Sequence, residues 1–164
     1  MLRQRGDDPE KQPDIYAGMV REALKGKPDD LTIMMHLCRG NVRSTFIVSG
    51  GYDPVADTLF NAMPVDGYFM ERDTARAGGF EPLRYLPKRK TVVLGLVTSK
   101  TGTLESKDDI KRRIDEAAKY ADLDQLCLSP QCGFASTEEG NIPAEEEQWA
   151  KLRLIVDAAK EIWG

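Results

Sequence analysis

Leu31-Thr32-Ile33-Met34-Met35-His36-Leu37-Cys38 is the run that decides the fold. Read with the two-residue period of a strand, it sets Leu31, Ile33, Met35 and Leu37 on one side and Thr32, Met34, His36 and Cys38 on the other. The first side suits packing under helices, and the second grows more polar toward its C-terminal end. Three further apolar runs follow at residues 65–70, 91–97 and 126–128, each leading through a loop into a segment of helical period. Asp53-Pro54 is a good cap and first-turn pair for a helix that turns Val55, Leu59, Phe60 and Met63 inward. The second run leads into a short, poorly patterned stretch at residues 80–86. After the third, Ser106 caps a helix with Asp109 three residues on, and Ile110, Ile114, Ala117 and Ala118 form its buried side. The last helix, from about residue 144, lays Trp149, Leu152, Val156, Ala159 and Trp163 along one face. Strands alternating with helices in this way mean βαβ units and a parallel sheet.

Upstream, Ile15, Met19, Val20, Ala23 and Leu24 recur at helical spacing until Gly26, Lys27 and Pro28 break the pattern. Residues 1–12 have no apolar periodicity and are expected to form a loose arm, the domain spanning residues 13–164. The fold class is α/β: four parallel (β/α) units, half of a TIM-type barrel, whose full form takes eight units and about 250 residues. Such a sheet leaves two strand edges and an apolar face uncovered, so a second copy in a homodimer, or another chain, is expected to complete it. A small open α/β sandwich, complete by itself, fits the length equally well.

A chain of 164 residues with 41% hydrophobic content can bury a sizeable core. Its net charge of -4, from 23 basic and 27 acidic residues mixed along the chain, gives no basic footprint for nucleic acid. No apolar run approaches the roughly 18 residues of a membrane span, and the N-terminal residues lack the apolar stretch of a secretory signal, so the expected compartment is the cytoplasm. Three cysteines, Cys38, Cys127 and Cys132, are an odd number beside an ordinary core, which argues against a disulfide framework. With one histidine, any imidazole role falls on His36.

His36 and Cys38 lie two apart at a strand end and therefore share a face. Glu71 closes the second strand in Tyr68-Phe69-Met70-Glu71, and Cys132 follows the fourth in Ser129-Pro130-Gln131-Cys132-Gly133. All four sit at C-terminal strand ends, where parallel α/β folds bind ligands. Two thiolates, an imidazole and a carboxylate make a tetrahedral set suited to zinc, and the soft sulfurs argue against magnesium or calcium. Each residue also has a plain reading: a hydrogen-bonded strand histidine, buried cysteines, a carboxylate capping a loop. From spacing alone the plain reading outweighs the metal site. Cys127 alternates away from the site and reads as packing.

The run His36-Leu37-Cys38-Arg39-Gly40-Asn41, the strand-ending Glu71, and Leu128-Ser129-Pro130-Gln131-Cys132-Gly133-Phe134 resemble the metal-binding motifs of the cobalamin-independent methionine synthase family. The resemblance runs from about residue 13 to 164, is closest to the short single-barrel members, and matches their strands five to eight. It implies a Zn2+ site in which His36, Cys38 and Cys132 are persistent ligands and Glu71 yields to the substrate sulfur. It implies an enzyme, a zinc-dependent methyltransferase that passes a methyl group from a methylated folate to a thiol, homocysteine, giving methionine. Bound zinc keeps a thiol as its nucleophilic thiolate near neutral pH.

Two departures bear on this. The family's proton-handling histidine, in the loop after strand seven, is replaced here by Thr98-Ser99-Lys100, which passes a catalytic proton role to Lys100 if burial or neighbours lower its pKa. The first half of the barrel, with its folate and amino-acid contacts, is missing. A zinc-binding half-barrel without activity of its own, and the same zinc–thiol chemistry on other alkyl donors, stand as alternatives. Arg39, Arg43, Arg72 and Arg76 are placed to meet a substrate carboxylate or folate tail, or to pair with Asp53, Asp73 and other surface acids. The five glutamates between residues 136 and 147 read as a solvated loop and helix start.

Overall fold

Strand periodicity and apolar content place four short strands side by side. In the computed structural model, which describes residues 3–164, these are β1 (Met34–His36), β2 (Gly67–Phe69), β3 (Thr91–Val93) and β4 (Leu126–Cys127). They form one sheet in the order β1-β2-β3-β4, and every pairing is parallel. Three helices complete the frame: α1 (Gln12–Ala23), α2 (Lys107–Ala117) and α3 (Glu145–Trp163). The α/β half-barrel architecture stands; the sheet does not close, and β1 and β4 are its edges. Among the described residues no helix is long and apolar enough to cross a membrane. Residues 1 and 2 of the expected arm lie outside those described.

The register shows why the sheet is one-sided. Met35, Tyr68, Val92 and Leu126 stand in one row across it and belong to the hydrophobic core with Leu94, Leu96, Ile110, Ile114 and Ile155. The row on the other face is His36, Phe69, Val93 and Cys127. There Phe69 keeps 39% of its surface exposed and His36 is exposed, although Val93 is buried. A sandwich complete by itself would cover that face. Cys127, expected to point away from the site, stands in this same row, because its partner Val93 shares parity with Phe69 and His36.

The hydrogen-bonded ladders are two or three residues long, shorter than the apolar runs. In the run at 91–97 the cause is Gly95, whose φ of 64° turns the backbone where a β-carbon would collide with the Met70 carbonyl. The chain then regains the sheet at an isolated parallel bridge between Val97 and Pro130. Capping by Ser106 is as expected, with the Asp109 N–H donating to its hydroxyl at 3.4 Å, and Ile110, Ile114 and Ala117 are buried. Asp53 does not cap a helix. It opens a 3-10 turn (Asp53–Val55) that runs on into a π-helical turn (Thr58–Ala62), and its carboxylate faces Arg84 at 3.5 Å.

The inward faces of two helices differ from those expected. On α1, Ala17 is buried with Val20 and Leu24 packed behind it, while Ile15 and Met19 are exposed. On α3, Trp149, Val156 and Trp163 face outward, and the inward stripe is Lys151, Ile155, Ala158 and Ile162. Lys151 sets that rotation: its ammonium, fully buried, pairs with Glu105 at 2.9 Å and donates to the Thr103 carbonyl at 2.6 Å. Glu105 in turn accepts the Thr98 N–H at 2.8 Å, so α3 braces the loop that leaves β3.

The core assignment predicts that Leu94→Ala destabilises the chain by about 2–5 kcal/mol, and that Val156→Ala on the outer face of α3 changes stability by less than about 0.5 kcal/mol. Urea unfolding of the two variants checks this.

Candidate metal centre

From His36 the chain leads two residues on to Cys38, so both side chains leave the open face. Cys132 comes from the opposite edge of the sheet. Its loop is folded inward by two asparagines: Asn41 donates to the Gly133 carbonyl at 2.9 Å and to Ser136 Oγ at 2.7 Å, and Asn141 donates to the carbonyls of Ser99 at 2.8 Å and Gly133 at 3.0 Å. Opposite, Arg43 and Ser44 both sit in the left-handed region (φ 46° and 65°) in a tight turn. The Ser44 N–H donates to Asn141 Oδ1 at 3.4 Å, and Ser44 Oγ accepts the Ile142 N–H at 2.9 Å.

The result is convergence. The ligand atoms of His36, Cys38 and Cys132 lie within 4.8 Å of one another, with the two sulfurs 3.1 Å apart. The Gly40 N–H donates to Cys38 Sγ at 3.1 Å. Burial, then the hydrogen bond and charge of Cys38 and the charge of Glu71, push the Cys132 thiol up to about 12. Cys127 lies outside the cluster, and burial raises its thiol also. One imidazole and two sulfurs are the soft donor set that selects zinc, and three protein ligands with an open position is the pattern of a catalytic zinc. The residues fit the ion.

Glu71 is not in that mutual cluster. Fully buried, it accepts the Arg39 N–H at 2.8 Å on Oε2, and on Oε1 it accepts Arg76 Nη2 at 2.5 Å, Gln131 Nε2 at 2.9 Å and Lys100 Nζ at 3.3 Å. Burial pushes its carboxyl up, but the Arg76 hydrogen bond, the Arg39 N–H and the charges of Lys100 and Arg76 outweigh it and hold the group below its ordinary value. Lys100 stands at the C-terminal rim, as its position in sequence implied, buried between Glu71 and Gln131 Oε1, 3.3 Å from each.

The arginines divide. Arg39 is buried over the Tyr52 ring at 4.0 Å and donates to Tyr52 Oη and to the carbonyls of Glu71 and Gly50. Arg72 is buried between the rings of Tyr52 and Phe80, and burial lowers it to about 10. Arg76 pairs with Glu71 and with Asp73 at 3.1 Å, and Arg43 is exposed on its turn. Gln131, Arg76 as the partner of Glu71, Asn41 and Asn141 were not singled out by the sequence as site residues, although Gln131 and Asn41 lie inside the motifs that carry the cysteines.

Parallel (β/α) units with a sulfur and imidazole donor set at the C-terminal rim define half of a barrel with a candidate metal site. The chain belongs to the family of cobalamin-independent synthase catalytic domains, whose family model matches residues 17–161. It is 56% identical over 164 residues to YxjH of Bacillus subtilis (strain 168), an uncharacterised protein, covering 99% of this chain and 44% of that one. It superposes on a Listeria monocytogenes protein assigned to the vitamin-B12 independent methionine synthases, with a TM-score of 0.71 and 42% identity over 97% of this chain and 43% of that one. A B12-independent methionine synthase from Shewanella sp. W3-18-1, in complex with selenomethionine, has the same fold (TM-score 0.73, 18% identity, 93% of this chain and 44% of that one). The chain thus spans less than half the length of these relatives.

A carboxylate whose folded pKa is depressed contributes stability above its unfolded pKa, and that contribution is lost as pH falls through and below about 4.3. Glu71→Gln is therefore expected to flatten the acid limb of the metal-free protein, losing less stability than wild type as pH falls from about 5 to about 3, as measured by urea midpoints across that range.

Proposed function

We propose that this chain carries the zinc–thiol part of a methyltransferase site, with homocysteine as the acceptor thiol and a methylated folate as the donor. The observation that supports this most directly is the convergence of His36, Cys38 and Cys132 within 4.8 Å. Bound there, zinc would keep an acceptor thiol ionised near neutral pH. The protein's own part is positional. His36 and Cys38 are set by β1, Cys132 is drawn in by Asn41 and Asn141, and Lys100, held against Glu71 and Gln131 at this rim, would be the residue to pass a proton.

A second reading is favoured by the bare row His36, Phe69 and Cys127 and the open edges β1 and β4: a metal-binding half-barrel that turns over only when a second copy or a separate chain completes the sheet.

Metal analysis after dialysis should find one zinc per chain in wild type and in Cys127→Ser, and an affinity lower by more than about 100-fold in Cys38→Ser and Cys132→Ser. Zinc retained at full affinity in both site variants would overturn the proposal. Native mass, measured on the sample assayed for methionine formation from homocysteine and methylated folate, separates the readings: turnover by a monomer rejects the second, and turnover confined to a larger assembly supports it.

A further inference from the structure

The donors of the cluster are not held alike. His36 belongs to β1, and the chain stays tied to the β2 run beyond it: the Leu37 N–H donates to the Phe69 carbonyl at 2.8 Å and the Arg39 N–H to Glu71 at 2.8 Å, on either side of Cys38. Before Cys132, the Gln131 N–H donates to the Val97 carbonyl at 2.9 Å. After it, the Gly133 carbonyl is met by two side-chain amides, Asn41 Nδ2 at 2.9 Å and Asn141 Nδ2 at 3.0 Å. Side chains thus do beside Cys132 what the neighbouring strand run does beside Cys38.

Of the two amides, Asn141 is the one that joins three loops. Its Nδ2 places its hydrogens on the carbonyls of Gly133 and, at 2.8 Å, of Ser99, and its Oδ1 accepts the Ser44 N–H at 3.4 Å. Two carbonyls at one end and an N–H at the other fix which way the amide faces. The backbone returns it to the place where it acts. Gly140, with φ 67°, makes a turn whose N–H donates to the Thr137 carbonyl at 3.0 Å, and the Asn141 N–H then donates to the Phe134 carbonyl at 3.2 Å, closing residues 134–141. Asn41 reaches Gly133 and Ser136, and its Oδ1 is buried without a partner.

Resting on the zinc reading above, we propose that Asn141 is a positioning residue that acts through Cys132: by clasping the Gly133 and Ser99 carbonyls it holds the Cys132 sulfur beside Cys38 and so sets the metal affinity of the site. The residue lies outside the motifs that carry the donors, and the clasp ties the Cys132 loop to the loop that bears Lys100.

Chelator competition for Zn2+ and the absorption spectrum of the Co2+-loaded protein test this in a double-mutant cycle that needs no turnover. Asn141→Leu, which keeps the size of the side chain and removes its donors, is expected to lower zinc affinity at least about tenfold and to weaken the sulfur-to-cobalt charge-transfer band, moving the spectrum toward that of Cys132→Ser. In the Cys132→Ser background the same replacement is expected to change affinity by less than about threefold, because the residue it acts through is already lost. Asn141→Ser, too short to span both carbonyls, repeats the measurement where Asn141→Leu does not fold. Ile114→Val, a change in the core under α2, is expected to leave affinity and spectrum as in wild type. Wild-type affinity and spectrum in the Asn141 variants would overturn the inference and leave the zinc reading standing. Equal losses in the wild-type and Cys132→Ser backgrounds, or a matching loss in Ile114→Val, would overturn it too. A wild-type chain that binds no Zn2+ would overturn the zinc reading itself and this inference with it.

Discussion

A buried carboxylate needs donors and countercharge around it, and at Glu71 that requirement organises the C-terminal rim. Its donors come one from each strand-end loop: the Arg39 N–H after β1, Arg76 after β2, Lys100 after β3 and Gln131 after β4. Two of them are immediate neighbours of the cysteines, since Arg39 follows Cys38 and Gln131 precedes Cys132. Satisfying one charge therefore carries both sulfurs toward the same point. Gln131 extends the network, its Oε1 accepting the Thr98 hydroxyl at 2.8 Å and the Ser99 N–H at 3.1 Å, so the loop after β3 is fixed by the same amide that holds Glu71.

The opposite side of the sheet is governed by what is lacking there. Helices bury the row Met35, Tyr68, Val92 and Leu126, whereas the row His36, Phe69, Val93 and Cys127 faces what in a closed barrel is the layered interior. A parallel sheet is stable in water when both faces are covered. The donors sit at the end of that uncovered face, so whatever covers it also decides how dry the site is, and hence how strongly its charges act.

Much of the architecture is legible in the sequence because short-range physics fixes it. Parity along residues 31–38 places His36 and Cys38 together, and the Ser106 cap with Ile110 and Ile114 defines α2. The rotation of α1 and α3 is not legible in the same way. Ile15, Met19, Trp149 and Val156 are as apolar as the residues that are buried, and the choice on α3 is made by an ion pair between Lys151 and Glu105, 46 positions apart. The parity of Cys127 is not legible in the sequence, because its strand is two residues long and only the register against Val93 settles it. Within the site, the donor residues stand in recognisable motifs, but the partners of Glu71 depend on how four loops meet, and no periodicity encodes that.

Arg76 joins this network to the surface. The segment carrying Phe46, Ile47 and Val48 is exposed and apolar, an unusual composition for a loop, and it touches Arg76 through the Phe46 ring, the Val48 carbonyl and the Gly50 N–H. It is also anchored at its root, where the Ile47 and Val48 N–H groups donate to the Arg39 carbonyl at 2.8 and 3.1 Å. Arg39 and Arg76 are two of the residues that hold Glu71. The loop is thus connected to both oxygens of the carboxylate, one through the Arg39 N–H and the other through the Arg76 guanidinium, by contacts that lie outside the sheet.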